Sequence, residues 1–417
     1  MKVAVFGSTL YAGVISALLA ESGHQLFWNK GNQRLDSDEL FDPSLKRLLT
    51  KQFDSAHLQY CDFSDQSIEV DVYILSFAPN EYQHALQVLI QLQQQVGTQP
   101  KLIINSSTFG LYGTQRLSQY LPQHHWIYLP DTVQQGSSLH SFKQMSQFIV
   151  GCDQDEIKPQ FEELLRPLIS NRQHYLYMPI LAAEFTKLSI SGMLATRISY
   201  INDLSVVAEK LGIDIQDVRD GMAADPRIGA SYLSPGAGFG GDNFSHDILT
   251  LSNVVSTTGV KSRLLEQVWE INEQQKELLF RKLWNYFSGQ LKGKIVTIWG
   301  AAFKENTANI QQSPVHNMLK ALWAQGVTVH LHDPQALDEI VAQYGERDDL
   351  VLYQDRYEAL KGSHALCLLT AWKEYWSPDY AYMRAHMQYA LILDGRNIYD
   401  PQYVQQQGFA YMGVGRG

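Results

Sequence analysis

The first part of the chain alternates short apolar runs with longer amphipathic stretches. Residues 3–6 and 24–28 are apolar runs, and residues 13–22 between them carry a helical repeat. A strand, a glycine turn, a helix and a second strand are typical of the unit that opens a parallel sheet. The same patterns predict further strands at 70–76, 101–105, 126–129 and 147–151, and helices at 43–52, 81–95 and 155–168. We therefore predict a dinucleotide-binding, Rossmann-like domain over residues 1–181.

The pattern changes in the middle of the chain. Residues 182–211 contain no proline and one glycine, and their apolar positions recur every three or four residues. This spacing predicts one long helix or two abutting helices. A glycine-rich stretch at 234–241 (SPGAGFGG) interrupts the pattern, which returns from 247 to about 287. We predict a central helical, dimer-forming domain over residues 182–288.

The α/β pattern resumes in the last part of the chain. The predicted elements are strands at 294–299, 327–332, 365–370 and 391–394, and a helix at 314–325. We predict a second Rossmann-like domain over residues 289–417. The predicted fold class is α/β, with two doubly wound parallel-sheet domains joined by a central helical domain.

Composition and charge exclude several classes of protein. Of 417 residues, 45% are hydrophobic and 18% charged, which is typical of a globular protein. The net charge of -10 argues against a nucleic acid or an anionic membrane as the main partner. No stretch reaches about 18 consecutive apolar residues, so no membrane span is predicted. A start without signal-peptide features and three widely spaced cysteines predict a cytoplasmic protein without a metal site.

The first predicted turn resembles a dinucleotide-binding loop. The fingerprint G-x-G-x-x-G provides a tight turn, a close approach to pyrophosphate and close helix packing. In the segment GSTLYAG the first and last glycines are present, the middle one is absent and the loop is one residue longer. The helix N-terminus can still attract an anion. The candidate cofactor-binding residues here are Gly7, Leu10, Tyr11, Ala12 and Gly13. A Rossmann-like domain that no longer holds a dinucleotide stays open as an alternative.

The end of the second predicted strand bears on the choice of dinucleotide. This strand usually ends in an acid that binds the ribose hydroxyls, but here it ends in Asn29, with Lys30 and Arg34 following. An amide can still bond a hydroxyl, and loss of the carboxylate removes repulsion against a 2′-phosphate. The predicted cofactor is NAD, with NADP possible.

Several short segments, in order along nearly the whole chain, resemble one family. These are residues 107–108 with 113–114, 130–136 (PDTVQQG), 187–202 (KLSISGMLATRISYIN), 225–229 (DPRIG), 235–247 (PGAGFGGDNFSHD), 302–313 (AFKENTANIQQS) and 394–400 (DGRNIYD). In these segments the chain resembles the nucleotide-sugar dehydrogenases that act on UDP-glucose or GDP-mannose. The resemblance implies oxidation at C6 of a nucleotide sugar, with hydride transfer to NAD.

The family performs two successive oxidations, and the second requires a cysteine thiolate that captures the aldehyde. The position that the resemblance aligns with this cysteine holds Asn243. An amide cannot act as that nucleophile. The resemblance therefore implies a two-electron step rather than the full four-electron oxidation.

The resemblance also implies roles for further catalytic residues. Lys187 would stabilise an oxyanion, and Asp247 with Thr108 would position water or accept a proton. Ser191 stands where the family has an asparagine one helical turn after the lysine. Asp131 is a shorter carboxylate at the position of a family glutamate.

The same resemblance implies that the domain at residues 289–417 binds the sugar nucleotide, and it implies the binding residues. Arg227, Lys304 and Arg396 are cations suited to a diphosphate and its sugar, and Arg227 would act across a homodimer interface. The loop at 232–238 would close over the sugar. Further substrate-side candidates are Tyr232, Gly238, Phe239 and Gly240, and further cofactor-side candidates are Pro79, Ser107 and Gln135.

Three functional interpretations remain open. The first is an oxidoreductase that transfers one hydride between NAD(P) and a hydroxyl of a nucleotide sugar. The second is a catalytically degenerate homologue that binds a nucleotide sugar or a protein partner, because Asn29, Gln135 and Gln311 replace family residues on the cofactor side. The third is an enzyme in which Asn243 supports chemistry on a substrate unlike a hexose C6.

Overall fold

The computed structural model describes residues 1–31, 42–62, 69–97, 99–169 and 174–416. They form two compact units, residues 1–190 and residues 191–417, and each unit contains one sheet. In the described part of the chain, no helix combines the length and apolar character needed to cross a membrane.

The first unit is built on an eight-stranded sheet. Its strands are β1 (Lys2–Phe6), β2 (Gln25–Asn29), β3 (Leu58–Tyr60), β4 (Val72–Leu75), β5 (Leu102–Asn105), β6 (His125–Tyr128), β7 (Gln147–Cys152) and β8 (His174–Met178). Their order is β3-β2-β1-β4-β5-β6-β7-β8, and the first six are parallel. This order is that of a Rossmann domain, with the switch point between β1 and β4. β7 is antiparallel to β6, which differs from the prediction, because an apolar run does not encode strand direction.

Helices cover the sheet of the first unit. They are α1 (Leu10–Glu21), α2 (Pro43–Asp54), α3 (Tyr82–Gln95), α4 (Gly113–Ser118), α5 (Ser138–Lys143), α6 (Lys158–Leu165) and the start of α7 (Ile180–Leu211). The helix predicted at 155–168 is α6 with a 3₁₀ turn on each side. Pro159 and Pro167 lack the amide that a continuous helix needs, which explains these breaks.

Helices also open the second unit. They are the remainder of α7, α8 (Ile215–Ala224), α9 (Asp242–Thr257), α10 (Leu264–Lys276) and α11 (Leu278–Tyr286). Over residues 182–211 the structure has one continuous helix, the first of the two predicted possibilities. α9 begins five residues before the predicted start, directly after Gly241.

The sheet of the second unit is entirely parallel. Its strands are β9 (Ile295–Trp299), β10 (Thr328–His332), β11 (Leu350–Tyr353), β12 (Ala365–Leu368), β13 (Leu391–Asp394) and β14 (Ala410–Gly413), in the order β11-β10-β9-β12-β13-β14. Its helices are α12 (Pro314–Ala324), α13 (Leu337–Tyr344), α14 (Tyr380–His386) and α15 (Pro401–Gln406). The central strands are buried along their length, as expected for a parallel sheet with helices on both faces.

Candidate functional site

The turn after β1 has the tight geometry that the sequence predicts. Gly7 has a φ of 109°, and a Cβ at this position would lie 1.9 Å from the carbonyl oxygen of Ser76. The indole of Trp28 donates to the Gly7 carbonyl oxygen at 2.8 Å. Any side chain at Gly7 would displace β1 from the loop that follows β4.

A side chain caps the helix after this turn. The Thr9 hydroxyl accepts a hydrogen bond from the Ala12 amide at 3.1 Å. The amides of Leu10 and Tyr11 lie in the first turn of α1, where helix geometry provides no partner. Such a terminus can hold one phosphate of a dinucleotide, so the missing middle glycine does not remove the anion-binding feature.

Other residues of this loop are interior. Tyr11 and Ala12 are buried, as is Gly13. Burial, together with the nearby Asp131 carboxylate, raises the pKa of the Tyr11 phenol well above its usual range. The structure thus brings Tyr11 of the glycine loop close to Asp131, which follows β6.

The predicted ribose-side residue ends β2. The Asn29 side-chain oxygen accepts a hydrogen bond from the Gly31 amide at 2.9 Å. Pro79 is half-buried in the loop that follows β4. Arg34, which the sequence also assigns to this side, lies outside the described residues.

The ends of β4 and β5 are joined through Ser107. Its hydroxyl oxygen accepts a hydrogen bond from the Phe77 amide at 2.9 Å, and its own amide donates to Asn105 Oδ1 at 3.0 Å. Thr108 follows directly and is half-buried. Ser107 therefore fixes the backbone that presents Thr108.

The loop after β6 is held at both of its ends. Asp131 Oδ1 accepts a hydrogen bond from the Val133 amide at 2.9 Å. At the other end, the Asp42 carboxylate accepts bonds from the amide and the hydroxyl of Ser138 at 2.8 and 2.6 Å. Gln135 is half-buried between these two anchors.

A buried acid lies one turn before Lys187 on α7. Glu184 is 4% exposed, and its Oε1 accepts a hydrogen bond from the Thr114 amide at 2.8 Å. Lys187 itself is half-buried. Sequence reasoning missed Glu184, although an acid on a largely apolar helix, three residues before a candidate lysine, was a usable signal.

In the second unit, the structure joins two of the predicted catalytic residues. Ser191 donates to Asp247 Oδ2 at 2.7 Å, and both side chains are buried. Asn243 is exposed and lies four residues before Asp247, on the same side of α9. Asn243 therefore lies one helical turn before a member of this buried polar pair.

The glycine-rich segment before α9 is fixed by buried amide side chains. Asn202 Oδ1 accepts the Gly236 amide at 2.9 Å, and Gln275 donates to the Gly236 carbonyl oxygen at 2.8 Å. Asn272 bonds both backbone groups of Phe239, at 2.8 and 3.2 Å. These three side chains were missed by sequence reasoning. They tie down the part of the predicted closing loop that contains Gly236.

Close contacts with neighbouring residues explain two further glycines of this segment. Gly238 has a φ of 95°, and a Cβ there would meet Lys276 Cγ at 3.0 Å. A Cβ on Gly240 would lie 2.5 Å from the carbonyl oxygen of Gln312. The segment therefore lies directly against α10 and against the loop that follows β9.

Arg396, in the segment 394–400, contacts two other segments that the resemblance assigns to the substrate, 235–247 and 302–313. Its guanidinium donates to the carbonyl oxygens of Leu369, Phe303 and Gly238 at 2.5, 3.1 and 3.5 Å. Lys304 follows Phe303, and burial lowers the pKa of its ammonium group. The structure therefore brings these segments together. All three hydrogen bonds of the Arg396 guanidinium are to backbone carbonyl oxygens.

The remaining two substrate-side candidates are exposed. Arg227 forms an ion pair with Asp225 at 2.6 Å, and 86% of its side chain is exposed. Tyr232 is 38% exposed, and its ring centroid lies 6.4 Å from that of Phe244.

Comparisons with protein families match two regions of the chain. Residues 181–274 match the model described as "UDP-glucose/GDP-mannose dehydrogenase family, central domain". Residues 297–401 match the model described as "UDP-glucose/GDP-mannose dehydrogenase family, UDP binding domain".

Individual relatives extend the similarity to the whole chain. The chain is 30% identical to a UDP-glucose 6-dehydrogenase of Pseudomonas aeruginosa, over 100% of this chain and 98% of the relative. It is also 30% identical to UDP-glucose 6-dehydrogenase TuaD of Bacillus subtilis, over 76% of this chain and 69% of the relative.

Solved structures share the fold. A UDP-glucose dehydrogenase from Pyrobaculum islandicum superposes with a TM-score of 0.88 at 22% identity, covering 100% of this chain and 98% of that one. A UDP-D-ManNAc dehydrogenase from Pyrococcus horikoshii gives a TM-score of 0.85 at 18% identity, with full coverage of both chains. These similarities confirm the predicted fold class and the predicted family. The chain belongs to the UDP-glucose/GDP-mannose dehydrogenase family, a family of NAD-dependent oxidoreductases.

Proposed function

We propose that this chain transfers one hydride between NAD(P) and a hydroxyl-bearing carbon of a nucleotide sugar, and that it does not form a uronic acid. The observation that carries the proposal is the buried hydrogen bond from Ser191 to Asp247, with Asn243 one turn away. A proton-accepting carboxylate is kept in place, whereas the position of the thiolate holds an amide.

The proposed roles divide one oxidation between two side chains. A bound nicotinamide ring supplies the hydride acceptor. Asp247 takes the hydroxyl proton, directly or through a water molecule. Lys187 stabilises the negative charge that develops on the oxygen as the carbonyl forms. The hydroxyl loses a proton and its carbon loses a hydride, so the product is an aldehyde or a ketone.

Asn243 ends the sequence of reactions at this stage. Capture of an aldehyde requires a nucleophile that forms a covalent bond to the carbonyl carbon, and a carboxamide is not one. The carbonyl product is therefore released. The same residues support the reverse reaction, because the protonated Asp247 can return its proton to the oxygen.

The proposed substrate is a UDP- or GDP-hexose. The match of residues 297–401 to a UDP-binding domain supports this choice. Lys304, beside the segments that Arg396 joins, provides a cation for the diphosphate. Arg227 would complete the site of a second copy in a homodimer, as the family resemblance implies. The three-domain division at 181/182 and 288/289 and a cytoplasmic location remain part of the same proposal.

The experiment is a turnover assay with UDP- and GDP-sugars in which reduced dinucleotide and sugar product are both counted. We expect one reduced dinucleotide per sugar and a carbonyl product. Lys187→Ala should abolish turnover, whereas Lys210→Ala, at the exposed end of the same helix, should not. Two reduced dinucleotides per sugar would contradict the proposal. The variant Asn243→Cys tests whether the other residues of the site support the second oxidation. We expect this variant to form a uronic acid.

The second candidate function is nucleotide-sugar binding without catalysis, for regulation or assembly. One observation favours it. The Thr9 hydroxyl already accepts a hydrogen bond from one of the helix amides at the predicted phosphate site. Calorimetric titration separates the candidates, because this one requires sugar-nucleotide binding with no dinucleotide binding up to millimolar concentration.

A further inference from the structure

We propose that Asp333 is a positioning residue for sugar-nucleotide binding, because its carboxylate takes the place of a phosphate in the turn after β9 and thereby fixes Lys304. This inference rests on the proposed binding of a nucleoside diphosphate sugar and specifies how the second unit holds the diphosphate. The strand order β11-β10-β9-β12-β13-β14 is that of a Rossmann domain. In such a domain the backbone amides of the turn after the central strand, here β9, bind phosphate.

The turn after β9 has the tight geometry of a phosphate-binding turn. Gly300 has a φ of 97°, and a Cβ at this position would lie 2.4 Å from the Cβ of Thr370. A helix does not follow the turn directly, since α12 begins only at Pro314. The turn therefore presents backbone amides to an anion without the helix N-terminus that usually accompanies them.

The anion that these amides bind is Asp333, at the carboxyl end of β10. Its Oδ2 accepts hydrogen bonds from the amides of Ala301 and Ala302 at 2.7 and 3.0 Å. The same oxygen accepts the indole N–H of Trp372 at 3.1 Å, and the residue is buried. In a Rossmann domain the acid at this strand end contacts a ribose, whereas here it contacts the turn of its own chain. A phosphate cannot use the same two amides.

Two further hydrogen bonds extend this support to the residue before Lys304. The Ala302 carbonyl oxygen accepts the Thr370 hydroxyl at 2.6 Å. The Phe303 amide donates to the carbonyl oxygen of Asn309 at 3.0 Å. The backbone that presents Lys304 is therefore fixed by the chain itself, and the ammonium group supplies a charged donor for a diphosphate in place of the occupied amides.

The test is calorimetric titration of the full chain with UDP, GDP and NAD, at a temperature where every variant is folded. Both carboxylate oxygens of Asp333 accept backbone amides, so the NH₂ group of Asp333→Asn would face an N–H donor. We expect this variant to bind the nucleoside diphosphate at least about tenfold more weakly. Its affinity for NAD should not change, since the predicted dinucleotide loop lies in the first unit. Asp338→Asn, at an exposed acid of α13, is the matched control and should change neither affinity.

A double variant tests whether Asp333 acts through the lysine. We expect Asp333→Asn combined with Lys304→Ala to lose no more affinity for the nucleoside diphosphate than Lys304→Ala alone. Two losses that add would overturn the inference. If Asp333→Asn does not fold, Thr370→Val loosens the same turn and should weaken binding, whereas Thr370→Ser keeps the hydroxyl and should not.

The failure of this inference can be distinguished from the failure of the proposed function. Unchanged affinity for UDP and GDP in Asp333→Asn, or in Thr370→Val where it replaces that variant, would overturn the inference and leave the proposed function intact. Absence of UDP and GDP binding by the unaltered chain up to millimolar concentration would overturn both.

Discussion

The carboxyl group of Glu184 shows how one residue can make stability depend on pH. It is buried on α7 and bonded to the Thr114 amide, yet burial raises its pKa above the usual range for a glutamate. The folded chain therefore holds this proton more tightly than the unfolded chain does. The contribution of Glu184 to the unfolding free energy is greatest below the unfolded pKa, and it falls as pH rises through the folded pKa.

Replacing this acid by an amide should remove that dependence. Glu184→Gln keeps an oxygen that can accept the Thr114 amide but carries no buried charge at neutral pH. Urea unfolding at pH 5 and pH 8 measures the unfolding free energy of both proteins. We expect the variant to be more stable relative to the unaltered chain at pH 8 than at pH 5. Each unit of pKa shift contributes about 1.4 kcal/mol to this change in relative stability. Glu156→Gln, at an exposed acid of the same unit, is the control. A pH-independent difference would show that Glu184 does not titrate as described.

A second prediction for a single residue concerns the packing around Gly240. A Cβ there would lie 2.5 Å from the carbonyl oxygen of Gln312, and neither backbone segment can move without disturbing the other. We expect Gly240→Ala to lower the unfolding free energy by about 1–3 kcal/mol, the usual cost of overpacking. Gly221→Ala is the matched control. Gly221 lies inside α8 with open space around it, so alanine should stabilise that helix by about 0.5–1 kcal/mol. Equal effects in chemical denaturation would contradict the packing argument.

At the scale of the elements, helix α10 fixes the backbone of the glycine-rich segment through buried polar side chains. Asn272→Ala would leave the amide and carbonyl of Phe239 without their partners. We expect a loss of about 1–3 kcal/mol in unfolding free energy and faster hydrogen exchange at the Phe239 amide. Gln274→Ala, on the exposed side of the same helix, should change neither. Slow exchange at Phe239 in the Asn272 variant would show that other contacts hold this segment.

The sequence predicted elements where periodicity was strong and missed those where it was weak. The apolar repeat of α7 and the runs of β1 and β9 gave their positions to within two residues. The three-residue β3 and the edge strands β8 and β14 are short or partly exposed, so their patterns did not stand out. The residues of the candidate site likewise fall into those that the sequence predicted and those that it missed. Motif residues such as Ser191 and Asp247 could be named from the sequence, whereas Asn272 and Glu184 act through tertiary contacts that no local pattern encodes.

At the scale of the whole molecule, each sheet is surrounded by its own buried apolar residues. Leu19 belongs to the core beneath β1 and α1, and Leu366 belongs to the core around β9 and β12. Both side chains are fully buried. The boundary between the two compact units falls inside α7, near residue 190.

Because each compact unit buries its own apolar residues, we expect two unfolding transitions, since cooperativity follows the packing within each unit. Leu19→Ala and Leu366→Ala should each cost about 2–5 kcal/mol in the unit that contains the substitution. For units of this size that cost lowers a midpoint by about 4–20 °C. In scanning calorimetry, we expect Leu19→Ala to lower one transition and Leu366→Ala to lower the other. A dinucleotide should raise only the transition that Leu19→Ala lowers, since its predicted loop lies in the first unit. A single transition that both substitutions lower equally would show that the chain unfolds as one cooperative unit across α7.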